Sequence, residues 1–570
     1  METSRKKLSG IVNDLDPFWK LVLEITLFAL IGIFSFLAIY GTAPLNPLHT
    51  DWAKSRTDLT QHYLGWSFYR ADPWAFPIGK FTTFGYPYGN TIVFTDSIPL
   101  FAILFKAARP LLPPDFQYFG LWELLCFALQ GIFAGLLLKR FIKNPYLLLV
   151  CVPFFTFSPI FISRAFRHCA LSGHWIILLA LYLFFESKND RSSALPWTIA
   201  CLLALLVHSY ILFMVLVIFL AFELNHLIAD KKPSLSLFRL SVAFVSLLLV
   251  GWIVGVLYIG GDIETGSFGY FSMNLNALFN PMGWSRFGLP DLPVASKGQA
   301  AGVGFEYLGL GMIILLCLLA ILALFFRLRS DRQAANRVYK QYLPGLIFTC
   351  VILIGFALSN KIYFNGLALL NIPLSPKVAS LLSILRASGR LFWPVYYLIY
   401  LCVLSVLYGL LKGQVRNRYI LLLLAFMLAV QIGDMSGELS KRRAFFPGKV
   451  YHSPLTSSFW RTAPDHYRHI VILPPLPQED KVMEKLNMYA LYALEYKMTI
   501  NTGYFARYPF TMMNKYAREV SADLKDGKID KEWIFIVKDQ ALMQDLLRSP
   551  ALKEKARFLK VDGMDIIVKK

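Results

Sequence analysis

Long apolar runs recur along this chain, and they restrict its fold more than any other feature. Each run extends for about 20 residues, enough for a helix to cross about 30 Å of hydrocarbon. Hydrophobic residues make up 56% of the 570 positions and charged residues only 16%. Because the backbone of a lipid-embedded segment must satisfy its own hydrogen bonds, the sequence predicts a polytopic α-helical membrane protein. Many further runs follow the first, which is therefore interpreted as a membrane anchor and not as a cleaved signal peptide.

The apolar pattern predicts eleven transmembrane helices. They are expected at residues 20–42, 117–138, 145–163, 173–187, 195–208, 210–227, 239–259, 306–327, 342–358, 392–411 and 419–433. A further apolar stretch at 97–113 is short and interrupted by prolines. This stretch is predicted to form an interfacial or re-entrant helix.

Basic residues lie beside alternate ends of these predicted spans. Their clusters fall at residues 5–7, 139–143, 188–191, 231–239, 327–340 and 412–418. Since lysine and arginine are enriched on the cytoplasmic side, these clusters place the N-terminus in the cytoplasm and the longer loops outside. The outer loops are then 43–116, 260–305 and 359–391. This distribution accounts for the formal net charge of +21. No nucleic-acid partner is therefore expected, and membrane lipids are the expected partners of the basic residues.

The region after Gly433 has a different composition and is predicted to be a small α/β domain. Strand-like segments occur at 469–477, 532–537 and 564–570, and helical segments at 481–497 and 539–549. The predicted organisation is therefore a transmembrane domain at 1–433, with a first outer loop at 43–116, and an outer domain at 434–570.

Three acids in the first outer loop are candidate catalytic residues: Asp51, Asp58 and Asp96. A carboxylate at a bilayer surface can accept a proton from a hydroxyl nucleophile, especially when burial raises its pKa. Capping of a short helix is the alternative role for Asp58 and Asp96. A carboxylate pair is also suited to holding a divalent cation through oxygen ligands. No ligand spacing in the sequence demands a metal, so no metal ligands are assigned.

Cationic side chains lie near the outer ends of two groups of spans, against the expected charge bias. They are Arg164, Arg167 and His168 in one segment, and Arg386 and Arg390 in another. Arg386 and Arg390 are one helical turn apart and would face the same way in a helix. A phosphate-bearing lipid is one reason for cations at this boundary. Snorkelling toward anionic headgroups is the alternative.

Other polar or aromatic residues at the outer side are candidate substrate contacts. His208 interrupts an apolar pair of spans, where a polar residue usually has a partner, although it also suits a satisfied turn. Glu306 precedes an apolar run. It is either a charge at the end of a helix or a group that faces the same cavity as Asp58. The remaining candidates are His62, Trp66, Arg70, His174 and Tyr307. The rings of Trp66, Trp74, Tyr86 and Tyr88 are expected to be sugar platforms or interfacial anchors.

Cytoplasmic nucleotide chemistry has little support in the sequence. Neither a G-x-x-x-x-G-K-[ST] loop nor a G-x-G-x-x-G after a strand is present. No sizeable cytoplasmic domain is predicted that would hold a sugar nucleotide. An enzyme acting on the outer side would need an energy-rich donor already in the membrane, and a polyprenyl-phosphate sugar meets that requirement.

Several motifs resemble those of a bacterial membrane family that is grouped with the GT-C glycosyltransferases. The motifs are DLTQHYLGWSFYR (58–70), FTDSIPL (94–100), QYFGLW (117–122), RAFRH (164–168), EYLGLG (306–311) and RASGRLFW (386–393). The resemblance covers about residues 15–435 and extends weakly to GYFAR (503–507). It implies a bacterial inner-membrane enzyme with a catalytic acid in its first periplasmic loop and a lipid-phosphate-linked sugar donor. It makes Asp58 the general base and Asp96 a second loop acid, with Asp51 competing for the base role.

The leading hypothesis is therefore a glycosyltransferase that uses a polyprenyl-phosphate sugar and modifies a cell-surface glycan or a lipid-linked acceptor. A flippase of lipid-linked oligosaccharide is an alternative, which predicts inverted repeats with broken helices near mid-membrane. An oligosaccharide polymerase or ligase is a third reading. Such enzymes rely mainly on arginine and histidine in outer loops, and the first-loop acids argue modestly against it here.

Overall fold

The computed structural model describes residues 16–258, 268–327, 341–475 and 480–570, and these are mostly helical. The helices are α1 Pro17–Tyr40, α2 Thr57–Ala71, α3 Pro99–Ala107, α4 Phe119–Lys139, α5 Pro145–Thr156, α6 Pro159–Arg164, α7 His174–Glu186, α8 Ala194–Val207, α9 Ser209–Asp230, α10 Pro233–Val254, α11 Lys297–Ala300, α12 Leu310–Arg327, α13 Leu343–Leu358, α14 Pro376–Ser383, α15 Trp393–Leu411, α16 Asn417–Phe445, α17 Ser458–His466, α18 Asp480–Glu495, α19 Phe510–Lys525, α20 Gln540–Leu547 and α21 Pro550–Lys555. The strands are β1 Lys80–Phe81, β2 Asn90–Thr91, β3 Lys361–Phe364, β4 Leu367–Asn371, β5 His469–Leu473, β6 Thr499–Ile500, β7 Trp533–Val537, β8 Ala556–Val561 and β9 Met564–Lys569.

Eight helical stretches within the described ranges are long and apolar enough to cross a membrane. They are Pro17–Tyr40, Phe119–Lys139, Pro145–Arg164, Cys169–Glu186, Ser209–Asp230, Pro233–Val254, Ser388–Leu411 and Asn417–Phe445. Shorter apolar helices occur at Arg191–Val207, Leu310–Leu324 and Leu343–Leu358. Their positions overlap the remaining predicted runs. The structure thus confirms a multi-pass helical architecture, and the count of eleven spans stays a prediction.

Glycines allow the first two long helices to pack at backbone distance. A β-carbon on Gly32 of α1 would lie 2.0 Å from the carbonyl oxygen of Phe127 in α4. A β-carbon on Gly131 of α4 would lie 2.3 Å from the carbonyl oxygen of Phe28. In lipid the hydrophobic effect does not drive helices together. Close backbone contact at small residues is one way in which they associate there. The first loop therefore connects two closely packed helices.

The loop between α1 and α4 is well packed. Its helix α2 has a buried side built from side chains such as Leu59, Leu64 and Trp66. At the end of α2 the Asp72 carboxylate accepts hydrogen bonds from the backbone N–H groups of Thr82 and Thr83, 2.5 and 3.2 Å long. These bonds tie α2 to the β1–β2 hairpin. Within the apolar stretch 97–113, α3 is nine residues long, too short to cross a bilayer.

The C-terminal region contains a five-stranded sheet in the order β6-β5-β7-β9-β8. Strand β5 is parallel to β6 and β7, and β9 is antiparallel to β7 and β8. Strands β5, β7 and β9 fall at the predicted segments, with 476–477 outside the described residues, and α18 and α20 match the predicted helices. Strands β6 and β8 were not predicted. Helix α16 also continues through the predicted boundary at 433/434 to Phe445.

The C-terminal region packs directly on the first loop. The backbone N–H of Gly85 donates to the carbonyl of Ile500 at 2.9 Å, and that of Ala506 donates to Phe94 at 2.8 Å. The ring of Phe505 packs against Phe84 with centroids 4.8 Å apart. These contacts hold the segment around residues 500–507 against the first loop, which contains Asp96.

Candidate functional site

Side chains from five separate segments meet at one end of the membrane helices. The His–Asp–Arg cluster consists of Asp58, His62, Asp96, Arg164, His168, His208 and Arg390. Asp58 and His62 lie on α2, and Asp96 lies in the turn before α3. Arg164 ends α6, His208 joins α8 to α9, and Arg390 precedes α15. The packing of these helix ends brings distant parts of the sequence into one polar centre.

Asp96 lies between two histidines. Its Oδ1 atom is 3.3 Å from His208 Nε2, and its Oδ2 atom is 3.9 Å from His62 Nε2. The backbone of Asp96 has φ 57° and that of Ile98 has φ 52°. A β-branched residue in the left-handed region is a genuine conformational outlier, and such strain concentrates at functional sites.

The protonation states in this part of the cluster follow from burial and from the neighbouring histidines. Burial opposes ionisation of Asp96, but the charge and hydrogen bond of His208 hold its pKa well below the usual range. Burial lowers the pKa of His62 and that of His168. The site therefore combines a carboxylate with two imidazoles that favour the neutral form.

His168 is held in place from the membrane side by Glu123 of α4. The Glu123 Oε1 atom accepts hydrogen bonds from the Phe166 N–H at 3.2 Å and from Ser172 Oγ at 2.9 Å. These two residues lie on either side of His168 in the chain. The Trp122 indole also donates to the carbonyl of Cys169 at 2.7 Å. The fixed loop places His168 Nε2 3.7 Å from Asp58 Oδ2.

The two buried arginines of the cluster keep unpaired donors. Arg164 donates through Nη2 to the carbonyl of Gly302, but its Nε atom has no hydrogen-bond partner among the described residues. The Nε atom of Arg390 is likewise buried and unpaired within the described chain. The Asp58 carboxylate acts electrostatically on both Arg164 and Arg390. An unmade hydrogen bond to a buried donor costs about 1–3 kcal/mol, so this arrangement suits an anionic ligand.

Glu306 lies near Arg164 at the entrance to α12. Both of its carboxyl oxygens are buried without a hydrogen-bond partner in the described part of the chain. Burial raises the pKa of Glu306 well above its ordinary value, against the opposing effect of Arg164. Glu306 thus adds a buried carboxyl group to the polar end of the bundle.

The C-terminal region contributes Tyr504 beside the cluster. The Tyr504 hydroxyl is hydrogen-bonded to Arg386, and burial raises the pKa of Tyr504. Asp58 and Asp96 also act on it electrostatically. Arg386 itself is exposed and lies 5.8 Å from the ring centroid of Phe271. The packed C-terminal region therefore reaches the same centre as the first-loop acids.

Several predicted site residues lie outside the cluster and have structural partners. Asp51 is 3.2 Å from Lys54 and its side chain is 32% exposed. Arg70 donates to the carbonyls of Leu112, Pro113 and Pro114. Trp66 donates to the carbonyl of Phe116 at 2.8 Å. These contacts organise the first loop.

Two further candidates are hydrogen-bonded to residues of α15 and α16. His174 Nδ1 lies 2.7 Å from the Tyr397 hydroxyl, and Tyr307 donates to Asp434 at 2.7 Å. The proposed sugar platforms also pack elsewhere, because Trp74 contacts Lys106, Tyr86 contacts His469 and Tyr88 contacts Tyr516. Arg167 donates to the carbonyl of Ala301 and is exposed beside the cluster.

A polar pocket adjoins Asp58, and no sequence pattern predicted it. It has a volume of about 430 Å³ and is lined by Ser55, Arg56, Asp58, Leu59, Phe166, Arg167, Glu438 and Arg442. Glu123 and Tyr504 were also not predicted as site residues. Of these, Glu123 carried a usable signal, since an acid within an apolar run usually has a function or a defined partner.

Metal-ligand geometry appears only in the folded chain. One ligand atom from each of His62, Asp96 and His168 lies within 4.8 Å of the other two. The residues are separated by 34 and 72 positions in the sequence, which is why no linear spacing revealed them. Two imidazoles and a carboxylate are suitable ligands for a transition metal.

The fold and the cluster define a class: a polytopic helical membrane protein with a His–Asp–Arg centre at one end of its bundle and a C-terminal α/β region packed beside it. Residues 29–436 match the family model described as Domain of unknown function (DUF6311), and residues 459–569 match the DUF6311 C-terminal domain. The chain belongs to the DUF6311 family. No curated protein matches the sequence.

Proposed function

We propose that this protein is a membrane glycosyltransferase. It moves a sugar from a polyprenyl-phosphate donor to a glycan or lipid-linked acceptor at the periplasmic face of a bacterial inner membrane. The observation that supports this function is the convergence of Asp58 with the buried Arg164 and Arg390. A general base and a phosphate-binding pair are the two groups that such a transfer requires.

The arginines would bind the donor phosphate. Arg164 and Arg390 each keep a buried, unpaired Nε–H group within the described chain. Charge-assisted hydrogen bonds from guanidinium groups to phosphate oxygens are strong and directional. The polyprenyl tail would remain among the apolar helices that end at the cluster. Charge building up on the departing phosphate is stabilised by both arginines.

Asp58 would act on the acceptor. The acceptor oxygen forms a bond with the anomeric carbon as its proton passes to the Asp58 carboxylate. The bond between the anomeric carbon and the phosphate oxygen breaks, and its electron pair leaves with polyprenyl phosphate. His168, 3.7 Å from the Asp58 carboxylate, orients that group. The adjoining pocket of about 430 Å³ provides space on the other side of Asp58 for the acceptor.

Asp58→Asn tests the base role, and Asp51→Asn is its matched control. Both changes remove one first-loop carboxylate, but Asp51 lies outside the cluster and pairs with Lys54. Membranes containing the full chain are supplied with labelled polyprenyl-phosphate sugar and acceptor. Loss of a general base lowers the rate by about 10²–10⁴-fold, whereas the control should retain transfer. Unchanged transfer by Asp58→Asn would remove this residue from the proposed mechanism.

An oligosaccharide polymerase or ligase is the second candidate function. It is favoured by the three histidines that accompany the two arginines in the cluster. The mass of the product separates the candidates. A glycosyltransferase adds one sugar to the acceptor, a ligase adds a whole oligosaccharide, and a flippase moves the lipid without changing its mass.

A further inference from the structure

Three potential metal ligands approach one another from separate parts of the fold. Ligand atoms of His62, Asp96 and His168 lie within 4.8 Å of one another. In a tetrahedral zinc site with bonds of about 2.0–2.1 Å, ligand atoms are about 3.4 Å apart. Side-chain rotations that move each atom inward by less than about 1 Å close that difference. The three residues thus already have nearly the arrangement that a single ion requires.

The burial of His62 provides independent evidence for a ligand. Its side chain is 0% exposed, and neither ring nitrogen has a hydrogen-bond partner among the described residues. The Nδ1 atom of His168 is also buried and unpaired within that part of the chain. Buried imidazole nitrogens are normally satisfied, since each unmade hydrogen bond costs about 1–3 kcal/mol. A metal ion would accept the lone pair of one nitrogen in each ring and so relieve the part of this cost that belongs to that nitrogen.

The surroundings of Asp96 orient its carboxylate for the same centre. His208 lies 3.3 Å from Oδ1, whereas Oδ2 faces His62 at 3.9 Å. A second residue that hydrogen-bonds a ligating carboxylate is the usual device for fixing a metal ligand. His208 therefore holds one oxygen and leaves the other directed toward the imidazoles.

We propose that His62, Asp96 and His168 bind one divalent transition-metal ion of the Zn²⁺ type. Imidazole ligands favour zinc and similar metals, whereas Mg²⁺ and Ca²⁺ prefer oxygen ligands. Three protein ligands leave a further coordination position open, as in catalytic zinc sites. Asp58 lies beside this group, 3.7 Å from His168. Metal binding is inferred from the ligand geometry and from the buried, unpaired imidazole nitrogens, and it does not depend on the proposed sugar transfer.

Metal content and Zn²⁺ titration test the inference without any activity assay. The full chain is purified in detergent, stripped with a chelator and titrated with Zn²⁺. The wild type should bind about one ion per chain, as one set of three ligands provides, and should melt at a higher temperature with Zn²⁺ present. His62→Ala and the nearly isosteric Asp96→Asn should lose both responses.

His226→Ala is the matched control, because His226 and Asp230 form another histidine–carboxylate pair, 3.1 Å apart, away from the cluster. This variant should bind Zn²⁺ like the wild type. Asp96→Asn keeps the test valid if His62→Ala does not fold. Absence of saturable Zn²⁺ binding by the wild type would overturn the site. Retention of binding by folded Asp96→Asn, or preference for Mg²⁺ over Zn²⁺, would overturn it as well.

Discussion

Ser97 Oγ donates a 2.7 Å hydrogen bond to the main-chain carbonyl of His62. This bond ties the turn that carries Asp96 to the helix that carries His62. Thr95 Oγ1 adds a 2.8 Å hydrogen bond to Ser97 Oγ. The distance between the Asp96 carboxylate and the His62 ring is therefore set by main-chain anchoring as well as by their side chains.

Gly65→Ala should disturb this anchoring. A β-carbon at Gly65 would lie 2.5 Å from Thr95 Cβ and 2.6 Å from Ser97 Oγ. Overpacking of a tight contact costs about 1–3 kcal/mol, so we expect a lower melting temperature and weaker Zn²⁺ binding. The control is Gly409→Ala, where a β-carbon meets nothing within 4 Å. Equal melting temperatures for the two variants would contradict the tight approach.

Glu123→Ala should loosen the loop that carries His168. The change leaves the N–H of Phe166 and the hydroxyl of Ser172 without their acceptor, at a cost of about 1–3 kcal/mol for each buried group. Glu123→Gln keeps a carbonyl oxygen at the same place and should preserve much of the stability. Melting temperature and Zn²⁺ affinity measure the effect. If Glu123→Gln were as damaging as Glu123→Ala, the charge of Glu123 and not its acceptor geometry would be responsible.

The buried Arg239–Glu223 pair provides a stability prediction away from the cluster. Arg239 donates to both carboxylate oxygens of Glu223, at 2.7 and 2.6 Å. Removing one partner of a buried ion pair costs about 3–5 kcal/mol because the other charge is left uncompensated. Arg239→Met should therefore be strongly destabilising in a melting assay. The double variant with Glu223→Gln should recover part of the loss, and an additive loss would argue against a coupled pair.

Lys106 should make stability depend on pH. Its Nζ atom lies 3.9 Å from the Tyr69 ring centroid, and burial lowers its pKa from 10.5 to about 8, with Arg109 adding to the shift and Asp72 opposing it. Between pH 8 and 10.5 the unfolded chain binds more protons than the folded one, so this residue's contribution to stability rises with pH.

Lys106→Met provides the comparison for this pH effect. Its melting temperature should exceed that of the wild type most clearly below pH 8, and the difference should shrink as the pH rises toward 10.5. The comparison cancels the titration of other groups that both proteins share. A difference that stays constant over this interval would contradict the depressed pKa of Lys106.

Local sequence patterns revealed the membrane helices and part of the C-terminal sheet, but not every element or boundary. Apolar runs identified the membrane helices, because the length of a span is encoded in contiguous residues. The strands β5, β7 and β9 were also recognisable, whereas the two-residue β6 depends on pairing with β5. Helix α16 was predicted too short, since hydropathy marks where a helix leaves lipid and not where its hydrogen bonds end.

Patterns within the amino-acid sequence were enough to predict a membrane-embedded helical chain, a mixed α/β C-terminus and a set of candidate acids and cations. The folded structure was needed to distinguish the two candidate bases, because it places Asp58 beside His168 and Asp51 beside Lys54. It alone brought His62, Asp96 and His168 within 4.8 Å of one another. Periodicity records which residues belong to one helix, but convergence depends on how helices far apart in the sequence pack together, and no local pattern contains that information.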